Sequence, residues 1–195
     1  MDYNKTFSIM NKNICKIVES LSQGKKYLNE LSEKSGIRSK NNLIKNLNSL
    51  TEANVLKIEK NKSNTFYSLN YENILTIAIL ELINLIKFNT VPFEKKKAVL
   101  ELISETKPLI VVLFGSTAKG NFTKKSDIDL LVVPSYSKID SSKVREISSR
   151  FGVKINVKLI SLEDFEKKED TIIHILKTGY PLTGEIYYYN EIKKI

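Results

Sequence analysis

Asp127 and Asp129 stand two residues apart where an apolar run, Ile128 to Val133, begins. Alternate side chains of a strand share a face, so both carboxylates project together while Ile128 and Leu130 point the other way. Two carboxylates this close repel and do not both stay ionised without a cation between them. Mg2+ meets that need, as a hard ion bound by one or two carboxylates and completed by substrate phosphates. Gly115-Ser116 comes earlier, with ten residues between it and Asp127. Gly115 lets a ligand approach the main chain. Ser116 brings a hydroxyl and an N–H to a polar turn, suited to a phosphate oxygen. Lys119 adds a positive charge beside them. A phosphate shelf facing a metal clamp is the minimum equipment for moving a group from a nucleoside triphosphate.

Two short strands must carry these residues. Ile110 to Phe114 is β-branched and bounded by Pro108 and Gly115, and Ile128 to Val133 ends at Pro134. The block Phe114-Gly-Ser-Thr-Ala-Lys-Gly120, followed by Ser126-Asp-Ile-Asp-Leu130, resembles the signature of the DNA polymerase beta nucleotidyltransferase superfamily, in its minimal nucleotidyltransferase branch. The resemblance covers roughly Lys107 to Gly184. It implies an α+β fold with a small mixed sheet flanked by helices. It further implies Mg2+ on Asp127 and Asp129, and a triphosphate held by Gly115, Ser116 and Lys119. The family more often has arginine at the position of Lys119. It usually also has a third carboxylate on the following strand, read here as Val153 to Ile160, to complete the metal site and act as base. Asn156 is nearest that place and cannot take a proton. Glu163 and Asp164 lie beyond the strand.

The 195 residues suffice for one large or two small domains. The formal charge of +9 favours anionic partners. Residues 1–90 carry 13 basic against 8 acidic side chains and the remainder 18 against 14, so the excess singles out neither part. The lone cysteine, Cys15, excludes an internal disulfide or a cysteine zinc site and reads as buried filler. Asp2 and Lys5 precede only a short apolar patch, not a signal peptide, and Ile74 to Phe88 is too short to span a bilayer. A cytoplasmic protein is expected.

Residues 1–70 read as a separate small domain. Ile14, Ile17, Val18 and Leu21 recur at helical spacing. Tyr27, Leu28 and Leu31 mark a second helix stopped by Ser35-Gly36, and Ser39 caps a third striped by Leu43, Ile44, Leu47 and Leu50. Val55 to Lys60 and Thr65 to Leu69 form a hairpin through Asn61-Lys62-Ser63-Asn64. That order resembles a winged helix-turn-helix. The resemblance implies DNA binding, the third helix showing Lys40, Asn41, Asn42, Lys45, Asn46 and Ser49 to a major groove and the hairpin presenting Lys60 and Lys62. The alternative is a protein-contact module with a solvated lysine face.

Residues 71–106 are expected to link or dimerise the domains. Tyr71 to Phe88 is a helix apolar nearly all round, to be covered on most sides by its neighbours or by its twin in a homodimer. Phe93 to Thr106 is a second helix, with Phe93, Ala98, Val99, Leu102 and Ile103 inward and Lys95-Lys96-Lys97 outward. Residues 107–195 form the nucleotidyltransferase-like domain. After β-strand Ile128 to Val133 come a helix from Ser141 to Phe151, the strand holding Asn156, a start signal at Ser161 and a last helical stretch ending at Gly179. His174, the only histidine, is assigned no catalytic part. Tyr187-Tyr188-Tyr189 reads as a tail packed on its own domain rather than a base-stacking site.

Three functions fit. One is transfer of a nucleoside monophosphate to a hydroxyl of a protein or nucleic acid; the resemblance implies an antitoxin-like role, since some minimal nucleotidyltransferases modify a partner toxin on tyrosine. Another is a DNA-binding regulator whose degenerate nucleotidyltransferase domain only binds nucleotide or mediates dimerisation. A third, an adaptor using the first domain for protein contact, is the plainest.

Overall fold

The structure, a computed structural model, describes residues 11–62, 64–123, 126–135 and 140–195. Asp2, Lys5 and Ser63, used in the sequence reading, lie outside the described residues. The chain divides into two compact units, Met1–Ile83 and Asn84–Ile195.

The first unit begins with α1 (Lys12–Leu21), whose N-cap Asn11 side chain accepts from the amides of Asn13 and Ile14. β1 (Lys26–Tyr27) and α2 (Leu28–Ser35) follow, and Gly36 in the left-handed region ends α2. Ser39 caps α3 (Lys40–Glu52) by accepting from the amide of Asn42. β2 (Leu56–Lys60) and β3 (Thr65–Leu69) pair antiparallel, and β1 joins the far edge of β3, giving the order β1-β3-β2. Ile17, Val18, Leu31, Leu43, Leu50 and Val55 are buried at its centre. Two expectations on α3 change. Ile44, read as core, is 37% exposed. Asn46, read as exposed, is buried: its Nδ2 donates to the Asn42 carbonyl and Oδ1 at 2.6 and 2.7 Å, and its Oδ1 accepts from Asn11 Nδ2 at 3.2 Å. Buried amides keep such partners because losing them costs about 1–3 kcal/mol.

The division falls within α4 (Ile74–Asn89). The expectation of cover on most sides fails at three places, since Ile74, Leu85 and Ile86 are 52–70% exposed. No described helix is long and apolar enough to cross a membrane.

The second unit holds α5 (Phe93–Thr106), bounded as its periodicity predicts. The buried positions are Lys95, Ala98, Val99 and Leu102, at i, i+3, i+4 and i+7. Phe93, expected inward, is instead 60% exposed, and Lys95, expected outward, is buried. β4 (Ile110–Phe114) pairs antiparallel with β5 (Ile128–Val133), and β5 pairs parallel with β6 (Ile155–Leu159). The opposite edge of β4 receives β7 (Tyr180–Thr183), so the mixed sheet runs β6-β5-β4-β7. Val111, Leu113, Ile128, Leu130 and Val132 share one cluster with α5 and with Ile147 of α7 (Ser141–Phe151). The aspartates therefore lie on the other face, as alternation requires. The turn α6 (Gly115–Ala118) joins β4 to the loop before β5.

α8 (Leu162–Lys167), capped by Ser161, α9 (Asp170–Thr178) and α10 (Glu185–Ile192) complete the unit. Tyr188 and Tyr189 are buried, with Tyr188 Oη donating to the carbonyls of Leu176 and Gly179 and Tyr189 Oη accepting from Asn84 Nδ2 at 2.8 Å. The tyrosine tail packs on its own unit. His174 is exposed.

α10 is pinned by a buried charge. Glu191 pairs with Lys194 and lies 3.0 Å from Lys168 Nζ. Burial raises its pKa, but the two lysines outweigh that and hold the carboxyl below its usual range. A depressed carboxyl contributes stability above its unfolded pKa, and that contribution is lost as pH falls through the folded value. Glu191→Gln leaves Lys168 without its counter-charge and should cost roughly 2–4 kcal/mol at neutral pH. Calorimetry of wild type and variant down a pH series should show the two melting curves converging on acidification. Curves that stay parallel would refute the role given to this pair.

Candidate active site

The site is built on one row of the second sheet. Phe114 pairs with Asp129, and Asp129 pairs with Asn156, so β4, β5 and β6 each place a residue in register. Asp127 lies just before β5 and Lys154 just before β6, with the amide of Ile128 donating to the Lys154 carbonyl at 2.9 Å. Parallel pairing thus sets Lys154 beside Asp127 and Asn156 beside Asp129.

The side chains converge. Asn156 Nδ2 donates to Asp127 Oδ2 at 3.2 Å and to Asp129 Oδ1 at 2.9 Å. Lys154 Nζ reaches Asp127 Oδ2 at 2.5 Å. The Lys154 contact, then the Asn156 amide, hold the Asp127 carboxyl below its ordinary pKa. Asp127 in turn raises that of Lys154. By sign, the Asp127–Lys154 pair persists above the ordinary carboxylate range and dissolves only as pH falls through the depressed value. The main chain of Asp127 is also fixed, since its carbonyl accepts from Thr117 Oγ1 at 3.0 Å and Thr117 is buried.

Gly115 has φ +73°, and a Cβ built on it would lie 2.3 Å from Asp129 Oδ2. Only glycine accepts both the backbone angle and the carboxylate against its Cα. Ser116 is half-buried in the turn α6. The structure thus brings Gly115, Asp127 and Asp129 together, with Ser116 next in the chain. Lys119 follows α6 and is exposed, and it makes no hydrogen bond or ion pair with either carboxylate.

Among the described residues no group of three His, Cys, Asp or Glu side chains gathers to hold a metal. Asp164 is engaged with Ser161, and Glu163 with Lys167 at 2.8 Å. A divalent cation nevertheless fits the pair: two carboxylates already point one oxygen each at a single donor nitrogen, the place a small cation takes between them. The assignment of Asn156 oxygen and nitrogen follows the hydrogen bonds, and the turned amide offers an oxygen ligand.

Sequence reasoning missed Lys154 and Lys95. The first follows only from the parallel register of β5 and β6. The second was legible in spacing, since Lys95 stands on the same helical stripe as Ala98, Val99 and Leu102.

In the first unit, Lys40, Asn41, Asn42, Lys45, Lys60 and Lys62 are exposed. A cleft of about 300 Å³ there is lined by Asn11, Lys12, Asn13, Asn42, Lys45 and Asn46. It adds the start of α1 to the positions expected on α3.

Residues 94–185 match the family described as polymerase beta, nucleotidyltransferase. The chain is 36% identical over 75 residues to "Putative protein adenylyltransferase MJ0604" of Methanocaldococcus jannaschii, covering 35% of this chain and 72% of that protein. Two solved structures overlap it more loosely, each over 53% of this chain and 86% of the other. One is a toxin-antitoxin with AMP-PNP (21% identity, TM-score 0.37), the other a mutant of the toxin-antitoxin MntA-HpeT (20%, 0.34). The Gly-Ser turn, the paired aspartates and the relative matched over most of its length make this chain a member of the polymerase beta-like nucleotidyltransferase superfamily.

Proposed function

We propose that the second unit transfers a nucleoside monophosphate from a nucleoside triphosphate to a hydroxyl of a protein or nucleic acid. The observation that carries this reading is the convergence of Asp127 and Asp129 on one point beside the Cα of Gly115. Asp127 and Asp129 hold Mg2+, which supplies charge neutralisation at the phosphates. Gly115 and Ser116 seat the triphosphate and Lys119 offers its charge. The acceptor oxygen bonds to the α-phosphorus, the bond from that phosphorus to the α–β bridging oxygen breaks, pyrophosphate leaves, and the hydroxyl proton passes to solvent. Asn156 accepts no proton and Asp127 is a weakened base, so the rate falls by about 10² to 10⁴ relative to a site with a positioned base. A protein hydroxyl is the favoured acceptor, because the adenylyltransferase relative is named for protein modification. A partner toxin carrying that hydroxyl, and so an antitoxin-like role, is the narrower form of the reading.

The first unit is read as a winged helix that binds DNA. What supports it is the order of three helices and a three-stranded antiparallel sheet, with the exposed lysines and amides of α3 beside the cleft at α1. Lys40, Asn41, Asn42 and Lys45 face the groove, and Lys60 and Lys62 meet phosphates. Asn46 supports the others from beneath. The exposed apolar residues of α4 suit a homodimer.

Three outcomes test these assignments. Incubation with Mg2+, labelled triphosphates and cell extract should label an acceptor with wild type and not with Asp127→Ala/Asp129→Ala; equal labelling sinks the transferase. Gly115→Ala costs roughly 1–2 kcal/mol at this backbone angle and drives Asp129 aside, so Mn2+-dependent ATP affinity should fall at least about tenfold. Calorimetric titration reads it, and unchanged affinity removes Gly115 from the site. Lys45→Ala should weaken a DNA gel shift at every salt concentration and flatten its salt slope by about one unit. A slope identical to wild type removes Lys45 from the interface.

A further inference from the structure

α5 buries a lysine where its periodicity calls for an apolar residue. Lys95 is 3% exposed and shares its stripe with Ala98, Val99 and Leu102. Burial of an ammonium disfavours its charged form and needs compensation. Lys95 Nζ donates to the Thr123 carbonyl at 3.0 Å and lies 5.6 Å from the centre of the Phe122 ring, within cation–π range. Burial lowers its pKa from the ordinary lysine value, and the charge of Asp127 works in the opposite sense.

The Thr123 carbonyl also accepts from the amide of Ser126 at 3.1 Å, and the Thr123 amide donates to Ser126 Oγ at 2.9 Å. Ser126 is the residue before Asp127. The entry to Asp127 is therefore fixed by this reciprocal pair, with Lys95 as its anchor in the core. The exit is fixed by Thr117 and by the pairing of β5 with β6.

We propose that Lys95 is a positioning residue: through the Thr123 carbonyl it sets where Asp127 enters the site, and so the separation of the two carboxylates that a divalent cation must bridge. This rests on the nucleotidyltransferase reading of the site only for its consequence, not for the anchor itself. Lys95 touches neither the triphosphate nor the cation; it acts through the main chain of residues 123 and 126.

Two measurements on the full chain decide it. Lys95→Met keeps the apolar stem and removes the ammonium, while Lys95→Arg keeps a donor. In Lys95→Met, amide exchange at Ser126 should quicken about tenfold or more while Leu130 to Val132 stay protected. Unchanged exchange at Ser126 overturns the anchor, whatever the protein does with nucleotide. The Mn2+-dependent affinity for ATP should fall about tenfold, with ATP affinity in EDTA unchanged and Lys95→Arg restoring most of the loss. An equal fall with and without Mn2+ marks general damage and overturns the positioning role. Should Lys95→Met fail to fold, Lys95→Gln removes the charge and shortens the reach while keeping a polar end: faster exchange at Ser126 supports the proposal, and exchange like wild type overturns it. A wild type that binds no Mn2+ and ATP sinks the transferase reading, while the exchange data still decide the anchor.

Discussion

The second unit of this protein depends on holding two carboxylates on one face of a sheet, close enough to share a donor, without mutual repulsion forcing them apart. Like charges held close repel, and the repulsion grows as a site is withdrawn from water. The structure answers with a cation and an amide rather than with a third acid. Asn156 of β6 bridges the pair, and Lys154, just before β6, binds Asp127. Both depend on register, because moving β6 by one residue against β5 turns Asn156 and Lys154 to the opposite face.

Close approach of the main chain is the second constraint. Asp129 stands against Gly115 because β4 and β5 pair with Phe114 opposite Asp129, which brings the start of α6 under the carboxylate. Any side chain at position 115 takes the space of an Asp129 oxygen. The positive φ of Gly115 and the burial of Thr117 belong to the same device, since Thr117 holds the Asp127 carbonyl from the turn that Gly115 opens. One tight turn thus orients both acids, one by contact and one by a hydrogen bond.

Much of this was legible in the sequence, because strong local signals and tertiary packing agree. The strands Ile110–Phe114 and Ile128–Val133 and the helices Phe93–Thr106 and Ser141–Phe151 run as their periodicity and flanking residues indicate. The face of the aspartates followed from alternation alone. What failed was the environment of individual side chains. Lys95 was assigned to solvent by its type, although its spacing places it with the core; a long stem lets the ammonium reach a carbonyl while its methylenes pack. Asn46 was assigned to an open helix face, but Asn11 and Asn42 close over it. Phe93 was assigned inward by hydrophobicity, yet at the first turn of α5 it lies off the 95/98/99/102 stripe and stays exposed. In each case the deciding neighbour is remote in sequence or one turn along the helix, where residue type carries no information about it.

An amide and a lysine beside two carboxylates also change how such a site would meet a metal. With three carboxylates, a site attracts a divalent cation strongly on its own. Here Lys154 pairs with Asp127 and Asn156 bridges both carboxylates, so part of their negative charge is met before anything binds. On the proposed reading, Asp127 and Asp129 would hold Mg2+ only once Lys154 gave up Asp127. A triphosphate would bring negative charges for Lys154 and Lys119 to meet, so the same lysine that guards the carboxylates would gain a partner in a phosphate.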